Sequence, residues 1–253
     1  MTVPHSESAP QILQGDLDRF KRQYDEIAAL AGGLAHEIRN PLSTISLNLD
    51  LLFEDLGSLQ DPSVQRMMRK LATIQKECEH LDDILEAFLQ FTRAGELSRE
   101  PCQLNALIRD FLEFYQPEAK LFNIDIRPHL TADLPTLQLD ARMIRQVFQN
   151  LVRNSQQAMP DGGLIEIQCF RRGDQVVIEF IDTGCGVSAA AAEKMFTLFF
   201  STKNSGNGLG LPTVRKIIEA HGGTIRCESE PGRGTRMTLI LPVESRSAQS
   251  ENC

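Results

Sequence analysis

The sequence contains no tryptophan and only two tyrosines, so an apolar core has to be built from aliphatic residues and its 13 phenylalanines. It also lacks a basic excess. Lysine and arginine number 26 against 34 aspartates and glutamates, a formal net charge of -8. That balance argues against nucleic acid as the main partner, because neutralising phosphates needs a basic face. No stretch approaches the roughly 20 apolar residues that a membrane span needs. The opening MTVPHSESAP lacks a charged-then-apolar signal pattern. Cys78, Cys102, Cys169, Cys185, Cys227 and Cys253 include no C-x-x-C pair. They read as free thiols of a reducing compartment, so a cytoplasmic location is expected, with no membrane contact from the chain itself.

What is present is periodicity. With 253 residues, 42% of them hydrophobic, the chain can form one large or two small domains. Residues 1–15 are polar and expected to be disordered. Leu17, Phe20, Tyr24, Ile27, Ala31, Leu34 and Ile38 then alternate spacings of three and four, and the pattern resumes at Leu42, Ile45, Leu49, Leu52 and Leu56. GSLQDPS (57–63) breaks it, and a second run follows through Val64, Met67, Leu71, Ile74, Cys78, Leu81, Leu85, Phe88 and Phe91. Two long seams joined by a short turn predict an antiparallel helical hairpin over residues 16–95. A lone hairpin cannot bury its whole seam, so a homodimeric four-helix bundle is expected.

Composition shifts at RAGELSREP (93–101), where a hinge is expected, and helices and strands then mix over residues 96–245. Residues 104–120 and 141–159 read as helices. LIEIQCFR (164–171) and QVVIEFI (175–181) read as strands around an RGD turn. A helix over 209–220 stops at HGG, and TIRCES and TRMTLILP supply two more strands. The pattern predicts an α/β sandwich, a mostly antiparallel sheet with helices on one face. Residues 246–253 are expected to form a loose tail.

Within the first seam stands LAHEIRNPL (34–42). At the helical angle per residue, Leu34 and Ile38 lie along the seam and His36 lies about 180° from their midpoint. Asn40 follows one turn later on the same outward face. Pro41 crowds the Glu37 carbonyl and should bend the helix. A lone exposed histidine is most simply a solvated one. Here, though, a neutral imidazole has a carboxylate, Glu37, beside it that can take the ring proton, which suits a nucleophile.

Three stretches in the second region suit a phosphate ligand. On the wheel of RMIRQVFQNLVRNSQQAM (142–159), Gln146, Arg153, Asn154 and Gln157 fall within about 60° of Asn150, opposite an apolar arc. Asparagines are poor helix formers, so amides on that face suggest ligand contact. DTGCGV (182–187) follows a strand, with glycines that permit close backbone approach and a carboxylate able to accept from an exocyclic amine. Gly206, Gly208 and Gly210 lead directly into a helix, a phosphate-binding arrangement, and Lys203 adds a positive charge. Each stretch alone is also compatible with a solvated face or a simple turn.

Together these motifs resemble the sensor histidine kinases of two-component systems. LAHEIRNPLSTI is similar to their phosphoacceptor box. The three later stretches are similar, in order, to the N, G1 and G2 boxes of the GHKL-type ATP-binding domain. MFTLFFSTK (195–203) resembles the F box, and GRGTRM (232–237) the closing G-x-G-T-x-F with Met237 for Phe. The likeness runs over about residues 16–243 and looks most like the nitrogen-regulation subgroup. It implies a dimerisation and phosphotransfer hairpin followed by a Bergerat-type ATP-binding sandwich.

It further implies ATP and Mg2+ as ligands. Asn154 would hold the metal, Asn150 would support phosphates and metal, and Asp182 would accept from the adenine amine with Thr235 assisting. Gly184 and Gly186 would shape the adenine pocket. Gly206, Gly208 and Gly210 would wrap the triphosphate in a lid over about 187–208 packed by Phe196 and Phe199, with Lys203 on phosphate. His36 would be phosphorylated with Glu37 as base, the group would pass to an aspartate of a response regulator, and Asn40 would position water for that partner's dephosphorylation.

Several positions depart from the family pattern. Gln157 stands where many relatives carry Lys or His, MFTLFF lacks the usual Glu-Pro, and Asn207 replaces a Thr. None removes a group the chemistry needs. Two other readings are a topoisomerase- or chaperone-like ATPase and a non-catalytic nucleotide-binding scaffold. The first places a glutamate base four residues before the metal asparagine, where this chain has Asn150, which cannot take a proton. The second is disfavoured by the intact His36, Glu37, Asn154 and Lys203.

Overall fold

The computed structural model describes residues 38–54, 56, 62–203 and 206–243. His36, Glu37, the seam before them, the 57–61 turn and both termini lie outside the described residues. Two compact units divide between Arg93 and Ala94.

In the first unit, helix α1 covers residues 38–54 and helix α2 runs Pro62–Arg93. Arg39 donates from Nε to Asp82 (3.1 Å) and from an Nη to Glu86 (2.9 Å), while Gln75 donates to Asp50 at 3.1 Å. Partners descend along α2 as they ascend along α1, so the hairpin is antiparallel. Leu49 on α1 and Cys78, Leu85 and Leu89 on α2 are buried. Leu49, Cys78 and Leu85 belong to the inner heptad rows through Leu42, Leu49 and Leu56, and through Leu71, Cys78 and Leu85, and Leu89 follows Leu85 by one helical turn. A second row on each helix, Ile38/Ile45/Leu52 and Met67/Ile74/Leu81, repeats every seven residues and stays exposed at 39–51%.

The second unit holds strand β1 (Glu100–Cys102), helix α3 (Leu104–Leu121), strands β2 (Ile124–Leu130) and β3 (Leu137–Leu139), and helix α4 (Ala141–Ala158). Strands β4 (Gly163–Arg172) and β5 (Gln175–Asp182), helices α5 (Ala189–Lys194) and α6 (Gly210–Ala220), and strands β6 (Thr224–Glu230) and β7 (Gly234–Pro242) complete it. β1 and β3 form a small antiparallel ladder. The main sheet has the order β2-β4-β5-β7-β6. Only β2–β4 is parallel; the other neighbours are antiparallel.

Alternation in β4 and β5 sends Ile165, Ile167 and Cys169, and Val176, Ile178 and Phe180, inward. There they meet Ile144, Val147, Phe148, Leu151 and Val152 of α4, all at most 2% exposed. Phe148 sits between Phe111 and Phe180, with ring centroids 5.5 and 5.6 Å away. α3, α4 and α6 all contribute to this core. Asp182 continues the parity of Val176, Ile178 and Phe180, so its carboxylate leaves the end of β5 on the face that α4 covers.

α4 starts at Asp140, whose Oδ1 accepts from the N–H groups of Arg142 and Met143. Its Oδ2 accepts from the Ser98 N–H, and its own N–H donates to Nε2 of buried His221 at 3.0 Å. The His221 Nδ1 stands 2.8 Å from the Ile217 carbonyl, which fixes the proton on Nδ1. Burial favours the neutral ring and pushes His221 below the usual histidine range. Burial alone would raise Asp140, but the N–H donors of Ser98 and Met143 and the nearby Arg142 charge hold it below the usual carboxylate range.

Candidate nucleotide site on the second unit

Asp182 anchors the site. It is 7% exposed, and its Oδ1 accepts from the N–H groups of Gly184 (3.0 Å) and Thr235 (3.1 Å). Ser155 of α4 donates its hydroxyl to Oδ2 at 2.8 Å. The β5–β7 register sets Asp182 opposite Thr235, which is how two stretches 53 residues apart meet. A buried carboxylate with three donors on it is a fixed acceptor, with lone-pair capacity left for one more donor.

The loop after β5 is stitched in place. The Cys185 N–H donates to the Ala158 carbonyl (3.0 Å), and its own carbonyl accepts from the Gly232 N–H (2.8 Å). Ser229 accepts from the Val187 N–H, donates to the Gly234 carbonyl and stands 3.0 Å from the Thr235 hydroxyl. At Gly184 an added Cβ would fall 2.7 Å from the Ala158 Cβ, so this backbone lies against the end of α4 as only glycine allows.

α4 supplies the amide face expected from its wheel. Asn150 and Asn154 are half-buried and Gln157 is exposed. The Asn150 Oδ1 lies 3.2 Å from where a Cβ of Gly210 would stand, so the start of α6 adjoins it. The Asn154 Nδ2 is buried and has no hydrogen-bond partner among the described residues. Lys203 reaches the same face, donating from Nζ to the Asn154 carbonyl and to the Gln157 Oε1, both at 3.0 Å. Burial pushes the Lys203 ammonium below the usual lysine range, with Cys185 and Asp182 acting in the opposite sense.

The glycine-rich turn closes against the F-box segment. Gly208 has φ +66° and its carbonyl accepts from the Phe199 N–H at 3.0 Å; a Cβ there would strike the Phe199–Phe200 backbone. Asn207, in place of the family threonine, accepts from the Leu209 N–H at 3.1 Å. α6 begins without a side-chain cap. Phe196 is half-buried, with the Arg215 guanidinium 5.6 Å from its ring centroid.

Phe199 corrects an expectation. It is 61% exposed, with a left-handed φ of +61°, and does not pack the lid. The strained backbone turns its ring outward while its N–H secures Gly208.

Asp182, Gly184, Gly186 and Thr235 are thus gathered at one end of α4, and Asn150, Asn154, Lys203 and Gly210 along its amide face, while Gly206 and Gly208 lie against Lys203 and Phe199. Asn40 belongs to the first unit and is exposed on α1. Sequence reasoning missed Ser155 and Ser229. Ser155 lies about 140° from Asn150 on the wheel, inside the apolar arc, and a lone hydroxyl there was the available signal.

The residues fit a nucleotide and its metal. An orphaned buried N–H donor beside an ammonium, on a face of neutral amides, wants an anionic acceptor such as a phosphate. Among the described residues no three His, Cys, Asp or Glu side chains cluster as a metal site. The side-chain amide oxygens of Asn150 and Asn154 are hard donors of the kind that Mg2+ takes alongside phosphates and water.

Comparison with known proteins agrees with this geometry. The profile of the His Kinase A (phospho-acceptor) domain matches residues 26–97. That of the Histidine kinase-, DNA gyrase B-, and HSP90-like ATPase matches residues 139–245. Sensor histidine kinase ZraS of Escherichia coli O157:H7 is 35% identical over 233 residues, 92% of this chain and 50% of its own length. The chain spans about half the length of that relative. Among solved structures, full-length ShkA in complex with AMPPNP aligns at 26% identity and a TM-score of 0.66, over 84% of this chain and 45% of that one. Histidine kinase ThkA in complex with response regulator protein TrrA aligns at 26% and 0.63, over 93% and 68%. ThkA's catalytic domain aligns at 30% identity and 0.52, over 58% of this chain and 95% of that domain. None of these findings bears on the nitrogen-regulation subgroup. With both characteristic domains matched in order, the chain belongs to the sensor histidine kinases of two-component systems.

Proposed function

We propose that the chain is an ATP-dependent protein-histidine kinase core that phosphorylates itself on His36 and passes the group to an aspartate of a response regulator. The observation that carries the reading is the convergence of Asp182, Asn154 and Lys203 around one end and one face of α4, with donors, orphaned amide and cation matched to a nucleotide's base and phosphates. AMPPNP on ShkA and TrrA on ThkA support the two ligand classes by likeness.

In this reading Asp182 accepts from the exocyclic amine of adenine, held rigid by Gly184, Thr235 and Ser155. Asn154 and Asn150 face the phosphates, Asn154 offering its side-chain oxygen to Mg2+. Lys203 and the backbone N–H groups after Gly206 take further phosphate oxygens. The metal, when bound, offsets charge on the transferring phosphoryl group. The His36 Nε2 lone pair attacks the γ-phosphorus, the bond to the ADP oxygen breaks, and the ring proton passes to Glu37. Asn150 cannot accept a proton, so water is not activated at this site and transfer to a side chain is favoured over hydrolysis. Asn40 positions water for dephosphorylating the regulator.

The exposed rows Ile38/Ile45/Leu52 and Met67/Ile74/Leu81 support homodimerisation, because a second hairpin covers what one leaves open. No helix among the described residues is long and apolar enough to cross a membrane.

The test is incorporation of acid-labile, alkali-stable label from γ-labelled ATP, with His36→Gln as control. Label lost only in the variant supports the reading. ATP turnover without label would point to an ATPase motor, and nucleotide binding without either to a scaffold.

A further inference from the structure

Lys203 and Gln157 meet across 46 positions of sequence, and the contact has a definite chemistry. The ammonium donates to two neutral oxygens, Gln157 Oε1 and the Asn154 carbonyl, each at 3.0 Å. A neutral acceptor fixes where an ammonium sits without cancelling its charge, whereas a carboxylate would do both. At the other end of the residue, the Ser201 hydroxyl donates to the Lys203 carbonyl and accepts from its N–H, both at 3.1 Å. The lysine is therefore held by its backbone on one side and by its ammonium on the other, beside the unpartnered Asn154 amide. Gln157 itself is exposed, so its side chain contributes little to the core.

We propose that Gln157 is a positioning residue for the triphosphate: it pre-places the Lys203 ammonium over the α4 amide face, so that the phosphates meet an oriented and unneutralised positive charge. A long, otherwise free lysine loses rotamer freedom when the ligand has to order it, and docking on Gln157 removes that loss from the binding step. The glutamine that departs from the family pattern thus places a lid-borne cation on α4. The inference rests on the reading of Lys203 as a phosphate ligand.

The test is calorimetric binding of Mg2+–AMPPNP and of adenosine to the full chain, using Q157A, Q157E, K203A and the Q157A/K203A double variant. Q157A is expected to weaken AMPPNP about five- to tenfold and leave adenosine and the unfolding midpoint unchanged. Q157E is expected to weaken AMPPNP as well, because its carboxylate neutralises the cation. The double variant is expected to bind no more weakly than K203A, since without Lys203 nothing remains to be positioned. If K203A weakens AMPPNP while Q157A binds like the unaltered protein or more tightly, the positioning role is overturned and the Lys203 assignment stands. Additive losses in the double variant also overturn it, because Gln157 then acts independently of Lys203. If K203A itself binds AMPPNP normally, the phosphate reading of Lys203 fails and the inference fails with it.

Discussion

The two units bury their apolar residues by opposite strategies. The second unit closes its core on itself, with Ile144, Val147, Phe148, Ile165, Ile167 and Ile178 at 0% exposure. The first unit turns one heptad row per helix inward, with Leu49, Cys78 and Leu85 buried, and leaves another open, from Ile38 at 39% to Leu81 and Met67 at 51% and 50%. A closed core can hold a carboxylate such as Asp182 at fixed geometry. An open seam offers the face that a second hairpin would cover in the proposed dimer. The proposed catalysis and the proposed assembly thus draw on different parts of the molecule, and each should be breakable without the other.

The largest effect is expected from lysines in the open seam. Ile45→Lys with Ile74→Lys would bury unpaired charges in the bundle and raise the dimer dissociation constant by about a thousandfold or more. Sedimentation should show monomers, while unfolding of the second unit stays where it was. Next is Phe148→Ala, which empties the centre of the Phe111–Phe148–Phe180 cluster and should cost the second unit about 3–5 kcal/mol in denaturant unfolding. The dimer should survive it. A loss shared by both units would contradict their independence.

How much of this was legible depended on how local the signal was. The β4–β5 hairpin and α4 were readable, because period-2 and helical patterns are written in consecutive residues. β1 and β3 were not: EPC and LQL are three residues each and exist only by pairing with one another. β2 was missed because IDIRPHL carries Pro128 and charged residues, and it is a strand through its parallel register with β4. The motifs of the site could be named from sequence, but not the Ser155 and Ser229 bonds behind Asp182 and Thr235. The Lys203–Gln157 contact likewise depends on how the chain folds back. Phe199 was misjudged because its left-handed φ, not its apolarity, decides where its ring points.

Two smaller effects would sharpen the comparison. Ser155→Ala removes one donor from a buried carboxylate and should destabilise the second unit by about 1.5 kcal/mol and weaken Mg2+–AMPPNP about tenfold. Unaltered affinity would mean that Ser155 does not orient Asp182 for ligand. His221 gives the smallest effect. Burial lowers its folded pKa below the usual 6.5, so the unfolded chain takes up the proton first. Its stabilisation is full above pH 6.5 and is lost as pH falls through that value towards the lower folded one. The unfolding midpoint of the second unit should therefore drop between pH 7.5 and 5. His221→Asn should flatten the slope; equal slopes would remove His221 as its source.

The most direct measurement localises the phosphate. After incubation with Mg2+ and ATP, peptides spanning residues 34–42 should be analysed by mass spectrometry at neutral pH, alongside Asn154→Ala. The expected result is one phosphate on His36 in the unaltered chain and a loss of about a hundredfold or more in the variant, with the dimer intact. Phosphate on another residue, or equal labelling of the variant at saturating ATP, would contradict the proposal that the nucleotide at α4 is the donor to His36.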